Sequence, residues 1–127
     1  MGRKTMSDTR DLSPQQRAVL RDHATERPFT SPLNDEKRAG AFFCAGCGTH
    51  VYESGTKYNS GSGWPSFYDA VPGAVATTVD TSHGMTRTEV HCATCEGHLG
   101  HIFPDGPRPT GMRHCINGLA LTFEAKE

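Results

Sequence analysis

The sequence predicts a mainly β domain with one short helix near its N-terminus, and three observations carry that reading. With 14 glycines and 8 prolines among 127 residues, the chain is punctuated too often for long helices. After Gly40, short apolar or alternating runs are separated by Gly, Pro, Asn and Ser clusters, the pattern of antiparallel strands. Only one stretch carries helix-start chemistry, Ser13-Pro14-Gln15-Gln16. There Ser13 is a candidate N-cap, Pro14 suits the first helical position and Gln16 completes a capping box.

The elements follow in order. Residues 1–10 read as a disordered leader and 11–127 as a single domain, as the length suggests. The helix starts at Ser13 and stops near His23 to Thr25, ahead of Pro28 and Pro32. Candidate strands are Ala41–Cys44, His50–Glu53, Ala74–Asp80, Met85–Cys92, Ile102 with its neighbours, and His114–Glu124. The hydrophobic fraction is only 35%, so the core is lean and would gain from a metal staple.

Composition removes several functions. Thirteen basic and fourteen acidic side chains leave a net charge of −1, without the basic excess of a general nucleic-acid binder. No apolar run approaches the roughly 18 residues of a membrane helix. The polar start, Met1-Gly2-Arg3-Lys4, lacks the apolar centre of a secretory signal. An odd cysteine count with metal-type spacings fits a reducing cytoplasm better than a disulfide scaffold.

The five cysteines divide into four plus one. Cys44/Cys47 and Cys92/Cys95 form two Cys-x-x-Cys pairs. Thiolates three positions apart can share one metal while the amides between them turn toward the sulfurs, and Gly46, Gly48 and Gly97 supply turn freedom. One pair could instead be a redox dithiol, but two pairs in so small a domain favour one closed structural Zn²⁺ site. The 44 residues between the pairs are a small obstacle, because closure costs only about 0.6 kcal/mol per doubling of loop length.

Cys115 is left over, either a packed small hydrophobe or a nucleophile. If residues 113–117 are extended, Arg113, Cys115 and Asn117 share a face. A guanidinium at that distance lowers a thiol pKa. Leu119, Leu121 and Phe123 continue the same parity as a core-like face, unless a bulge at Gly118 breaks it. His98 and His101, flanking Gly100 and followed by Asp105, read as acid/base or orienting groups. A second metal site there ranks lower. His23, His50, His83, His91 and His114 take the default of satisfied surface residues. Trp64, the only tryptophan, sits in Ser60-Gly61-Ser62-Gly63-Trp64-Pro65-Ser66-Phe67. It could wall an apolar pocket or anchor a loop on the core.

Taken together, these motifs resemble a known family. The two Cys-x-x-Cys pairs, Gly63-Trp64-Pro65-Ser66-Phe67, Arg87-Thr88-Glu89-Val90, His98-Leu99-Gly100-His101-Ile102-Phe103, Asp105-Gly106-Pro107 and Arg113-His114-Cys115-Ile116-Asn117 stand in the order expected of the methionine sulfoxide reductase B family. The resemblance spans about Leu12 to Phe123. It implies reduction of the R epimer of methionine sulfoxide, in peptides better than as the free amino acid, in the service of protein repair under oxidative stress. It implies two antiparallel sheets tied at one end by zinc. It implies Cys115 as nucleophile, Trp64 and Phe103 as substrate-binding residues, and His98, His101, Asp105, Arg113 and Asn117 as the polar shell.

One departure bears on chemistry. Many family members carry a resolving cysteine directly before the Gly-Trp-Pro-Ser-Phe run; here that position is Ser62. A Cys115 sulfenic acid would then need an external thiol such as thioredoxin, glutaredoxin or glutathione. The expected molecule is a cytoplasmic monomer. The rival reading is a non-enzymatic zinc-ribbon binding module, which explains the knuckles but leaves Arg113-His114-Cys115 without a role.

Overall fold

A computed structural model of the chain describes residues 12–126; the expected leader, 1–10, lies outside them. Helix α1 spans Pro14–Asp22 and starts as its sequence dictates. The Gln16 amide donates to Ser13 Oγ at 3.1 Å, and the Ser13 amide donates back to Gln16 Oε1 at 2.9 Å. It ends at His23, whose left-handed backbone lets the Ala24 amide reach the Ala18 carbonyl. Val19 and Leu20 are its buried face.

Two antiparallel sheets follow. β1 (Gly40–Cys44) lies between β2 (His50–Glu53) and β9 (Leu121–Ala125) in a three-stranded sheet. The other strands are β3 (Lys57–Tyr58), β4 (Ser66–Phe67), β5 (Val75–Asp80), β6 (Arg87–Cys92), β7 (His98–Phe103) and β8 (Arg113–Ile116). They form a six-stranded sheet in the order β3-β4-β8-β7-β6-β5. The expected fold class, mainly β with two antiparallel sheets and a short N-terminal helix, is the one observed.

The core lies between the sheets. Phe42, Tyr52 and Phe67 are fully buried. The Tyr52 and Phe67 rings stack at 4.4 Å, and Phe42 meets Phe67 edge-on at 5.0 Å. His114 belongs to this core, which corrects its expected surface placement. It is 7% exposed, and its Nδ1 lies 2.7 Å from the Tyr52 hydroxyl. On β8 its parity opposes that of Cys115, so it turns inward where Cys115 turns out.

A second correction concerns the expected strand His114–Glu124. The chain leaves β8 at Asn117, makes a 3₁₀ turn over Gly118–Ala120 and enters the other sheet as β9. Leu119, Leu121 and Phe123 therefore do not extend the Cys115 face. Two bonds fix the break: the Asn117 amide donates to the Leu99 carbonyl at 2.9 Å, and the Leu119 amide donates to Glu26 Oε1, also at 2.9 Å. A Cβ on Gly118 would collide with Ser31, so glycine is required where the chain crosses between sheets.

Candidate active site and metal-binding cluster

The four paired cysteines converge where the sheets meet. Cys44 ends β1 of one sheet and Cys92 ends β6 of the other. Cys44 Sγ lies 3.6 Å from Cys95 Sγ, and Cys47 Sγ lies 3.6 Å from Cys92 Sγ. All four sulfurs lie within 4.8 Å of one another. A disulfide would need about 2.05 Å, whereas four Zn–S bonds of about 2.3 Å draw a tetrahedron with edges of about 3.8 Å. The donor set therefore fits a closed tetrahedral metal site.

The two knuckles repeat one backbone design. The amide of the first cysteine donates five residues on, Cys44 to Thr49 and Cys92 to Gly97, and the fourth residue after it donates back to the cysteine carbonyl. That fourth residue has positive φ in both, 84° at Gly48 and 66° at Glu96. The expected freedom at Gly97 thus belongs to Glu96, a non-glycine in the left-handed region.

The fifth cysteine stands apart, on the outward face of the six-stranded sheet. Register builds its surroundings: His101 lies opposite Cys115, Phe103 opposite Arg113, and Ser66 opposite Cys115 on the other side. Gly100 makes the β7–β8 approach possible, since a Cβ there would run into the Cys115 carbonyl. Thr25, Trp64, Arg87, Gly100, His101, Phe103, Cys115 and Asn117 enclose a cavity of about 90 Å³.

His98 and His101 are three apart, and a regular strand would send them to opposite faces. A register shift prevents this. Val90 pairs with Gly100 but His91 pairs with His98, so β7 carries an extra residue, Leu99. The two imidazole rings consequently meet edge-on at 5.4 Å. Their roles diverge. His101 lines the cavity, and its Nε2 lies 2.8 Å from Asp80 Oδ2. His98 is 2% exposed, does not reach the cavity wall, and holds Glu89 Oε2 through Nδ1 at 2.8 Å. Burial pushes His98 below its ordinary pKa despite that carboxylate. Burial opposes ionisation of Glu89, but bonds from Thr78, His98 and His91 outweigh it and hold the carboxyl low.

Asp105 does not line the cavity. It grips Arg113 in a two-pronged ion pair, Nε to Oδ1 at 2.8 Å and a terminal nitrogen to Oδ2 at 3.2 Å. The held guanidinium lies 4.4 Å from the Phe103 ring centroid. Around Cys115 the balance runs against the sequence expectation. Burial pushes the thiol up, and Ser62 and Arg113 only partly offset it. The surroundings of the free thiol therefore favour its neutral form.

Sequence reasoning missed two organisers. Asp80 accepts from His101 and from Arg87, the latter at 3.3 Å, and the Ser82 amide and His101 hold its carboxyl below the usual range. The signal was present, since Asp80 pairs Arg87 across a hairpin. Glu26 is 7% exposed. Its carbonyl accepts the Trp64 indole N–H at 3.0 Å, its amide donates to Asn117 Oδ1 at 2.9 Å, and its carboxylate receives Leu119. One residue thus fixes a cavity wall, a polar lining group and the inter-sheet turn. Trp64 is accordingly both pocket wall and anchor.

Comparison with known proteins agrees with this geometry. The SelR domain model matches residues 12–125. A peptide methionine sulfoxide reductase MsrB from Bradyrhizobium diazoefficiens is 58% identical over 118 residues, covering 92% of this chain and 85% of its own. Proteins of the same name from Agrobacterium fabrum and Pseudomonas putida are 51% and 52% identical, covering 95% and 98% of this chain and 91% and 95% of theirs. With the match running from the helix to the last strand, the chain belongs to the SelR-domain family, that of the MsrB-type peptide methionine sulfoxide reductases.

Proposed function

We propose that the protein reduces the R epimer of methionine sulfoxide in peptides and proteins, with Cys115 as nucleophile. The observation that carries this is the small cavity in which one thiol faces one imidazole across adjacent strands, between Trp64 and Phe103. The two aromatic rings suit the apolar thioether arm and methyl group. With the sulfoxide oxygen turned to the polar wall, the opposite epimer would put its methyl there.

Cys115 gives up its proton and the thiolate attacks the sulfoxide sulfur while His101, held by Asp80, donates to the oxygen; the thiol proton replaces the one His101 gave. Cavity placement favours His101 over the enclosed His98, which positions its neighbour. Oxygen passes to Cys115 as a sulfenic acid, methionine leaves, and Cys115 sulfur is oxidised by two electrons. Two external thiols then reduce the sulfenic acid, releasing water and a disulfide. Ser62 Oγ lies 3.9 Å from Cys115 Sγ, so a hydroxyl occupies the place from which a second thiol would attack. Thioredoxin, glutaredoxin and glutathione are the candidate reductants, and the four-sulfur cluster holds one structural Zn²⁺ that ties the sheets. Among the described residues no helix is long and apolar enough to cross a membrane. The cytoplasmic site of action rests on the odd cysteine count and the metal-type spacings.

The test is turnover on the two resolved sulfoxide epimers of a peptide methionine, with metal content measured on the same sample. Turnover of the R epimer alone, with one zinc per chain, is expected. Equal rates on both epimers would remove the R-specific reading, and none on either would favour the binding module.

A further inference from the structure

Three serines beside Cys115 donate and accept nothing in the steps above, yet they form a continuous chain. Ser62 Oγ lies 2.8 Å from Ser60 Oγ, Ser60 Oγ lies 2.7 Å from Ser66 Oγ, and Ser66 Oγ lies 3.1 Å from the Trp64 carbonyl. One end of the chain meets Cys115 Sγ at 3.9 Å. The other end is enclosed, with Ser66 1% exposed, so its proton must go to the Trp64 carbonyl or back to Ser60.

Each hydroxyl has one proton, and two arrangements carry an unbroken run from Ser66 to Cys115; the Trp64 carbonyl, 3.5 Å from Ser62 Oγ, is a longer side branch. In the first, Ser66 donates to the Trp64 carbonyl, Ser60 to Ser66 and Ser62 to Ser60. Ser62 then offers a lone pair to Cys115, as a thiol S–H requires. In the second every hydroxyl is reversed: Ser66 donates to Ser60, Ser60 to Ser62 and Ser62 to sulfur, as a thiolate requires. No hydroxyl proton changes owner between them; three Cβ–Oγ bonds rotate, and the only proton lost is the thiol's, to solvent.

We propose that Ser60, Ser62 and Ser66 form a reversible hydroxyl wire that solvates both protonation states of Cys115, with Ser62 touching sulfur and Ser60 and Ser66 as positioning residues. The proposal rests on Cys115 being the reactive thiol. A wire differs from a single Ser62–Cys115 contact because aligned hydroxyls strengthen one another and removing a remote member is felt at sulfur.

The test is the pH dependence of Cys115 alkylation by iodoacetamide, read at Cys115 by peptide mass spectrometry in the metal-loaded full chain. Ser62→Ala is expected to raise the titration midpoint by about one pH unit, or roughly tenfold slower alkylation near neutrality. Ser60→Ala, which does not touch Cys115, should give most of the same shift, and the double variant no more than Ser62→Ala alone. Ser60→Thr keeps the hydroxyl and should titrate as wild type. Ser66→Ala repeats the test outside the loop, with a smaller shift in the same direction. Wild-type titration in both Ser60→Ala and Ser66→Ala would overturn the wire. Alkylation reads the thiol without substrate, so loss of the wire and failure of the sulfoxide reading are separate results.

Discussion

The same element does two different jobs at two places on the six-stranded sheet. At the end of β6, Cys92 joins three other sulfurs at 3.6–4.8 Å, enclosed by knuckle amides. On the face of β8, Cys115 meets no other cysteine sulfur among the described residues; its neighbours are a serine hydroxyl, an arginine held by Asp105 and an imidazole opposite. The difference teaches that sulfur chemistry here is assigned by neighbours and not by sequence identity. Four thiolates around one ion would leave no open position for a substrate. One thiol lining a cavity stays open to what enters it.

The comparison breaks most severely if the cluster is emptied. Structural zinc contributes on the order of 10–16 kcal/mol, against a total stability of about 5–15 kcal/mol for a domain. Chelation, or Cys92→Ser, should therefore unfold the protein, which far-ultraviolet circular dichroism would register. A fold that survives metal removal with an unchanged melting temperature would mean the cluster ties nothing.

Cys115→Ser should do the reverse. Turnover falls by at least about a thousandfold, while metal content and melting temperature stay near wild type. A variant that retained turnover would return Cys115 to the packed-residue class. The two histidines sharpen the site end further. His101→Ala should lower kcat by about 10²- to 10⁴-fold. His98→Ala, which takes from buried Glu89 the partner of its Oε2 and leaves Thr78 and His91 on Oε1, should cost stability more than rate, by about 1–3 kcal/mol. Denaturant titration beside steady-state kinetics separates the two, and a reversed ranking would move the proton donor to His98.

The smallest effect compares one knuckle with the other. Gly48 takes its left-handed backbone freely, whereas Glu96 takes the equivalent one at φ 66°. Glu96→Gly should therefore stabilise the folded chain by up to about 1 kcal/mol, seen as a raised denaturation midpoint at constant slope. A loss of stability would show that the Glu96 side chain contributes more than its backbone costs.

Much of this was legible in the sequence, for reasons tied to range. The helix start depends on Ser13, Pro14 and Gln16 alone. The knuckles depend on residues three apart, and the Arg113–Cys115 pair on simple strand parity. What was hidden depends on partners far along the chain. The His98–His101 meeting requires the extra residue at Leu99, and strand periodicity predicts the opposite. The break after Asn117 is set by Leu99 and Glu26, and Glu26 itself sits in an unremarkable polar stretch. β3 and β4, two residues each, are too short to show any period. The inward turn of His114 was readable from parity once Cys115 was placed outward.

The central claim is that Cys115 is oxidised alone and waits for an outside thiol. The most direct test is mass spectrometry of the metal-loaded protein after one turnover on a methionine-R-sulfoxide peptide without reductant, with a sulfenic-acid trap present. One trapped adduct is expected, at Cys115, with Cys44, Cys47, Cys92 and Cys95 unmodified. A disulfide between Cys115 and any of those four would contradict it.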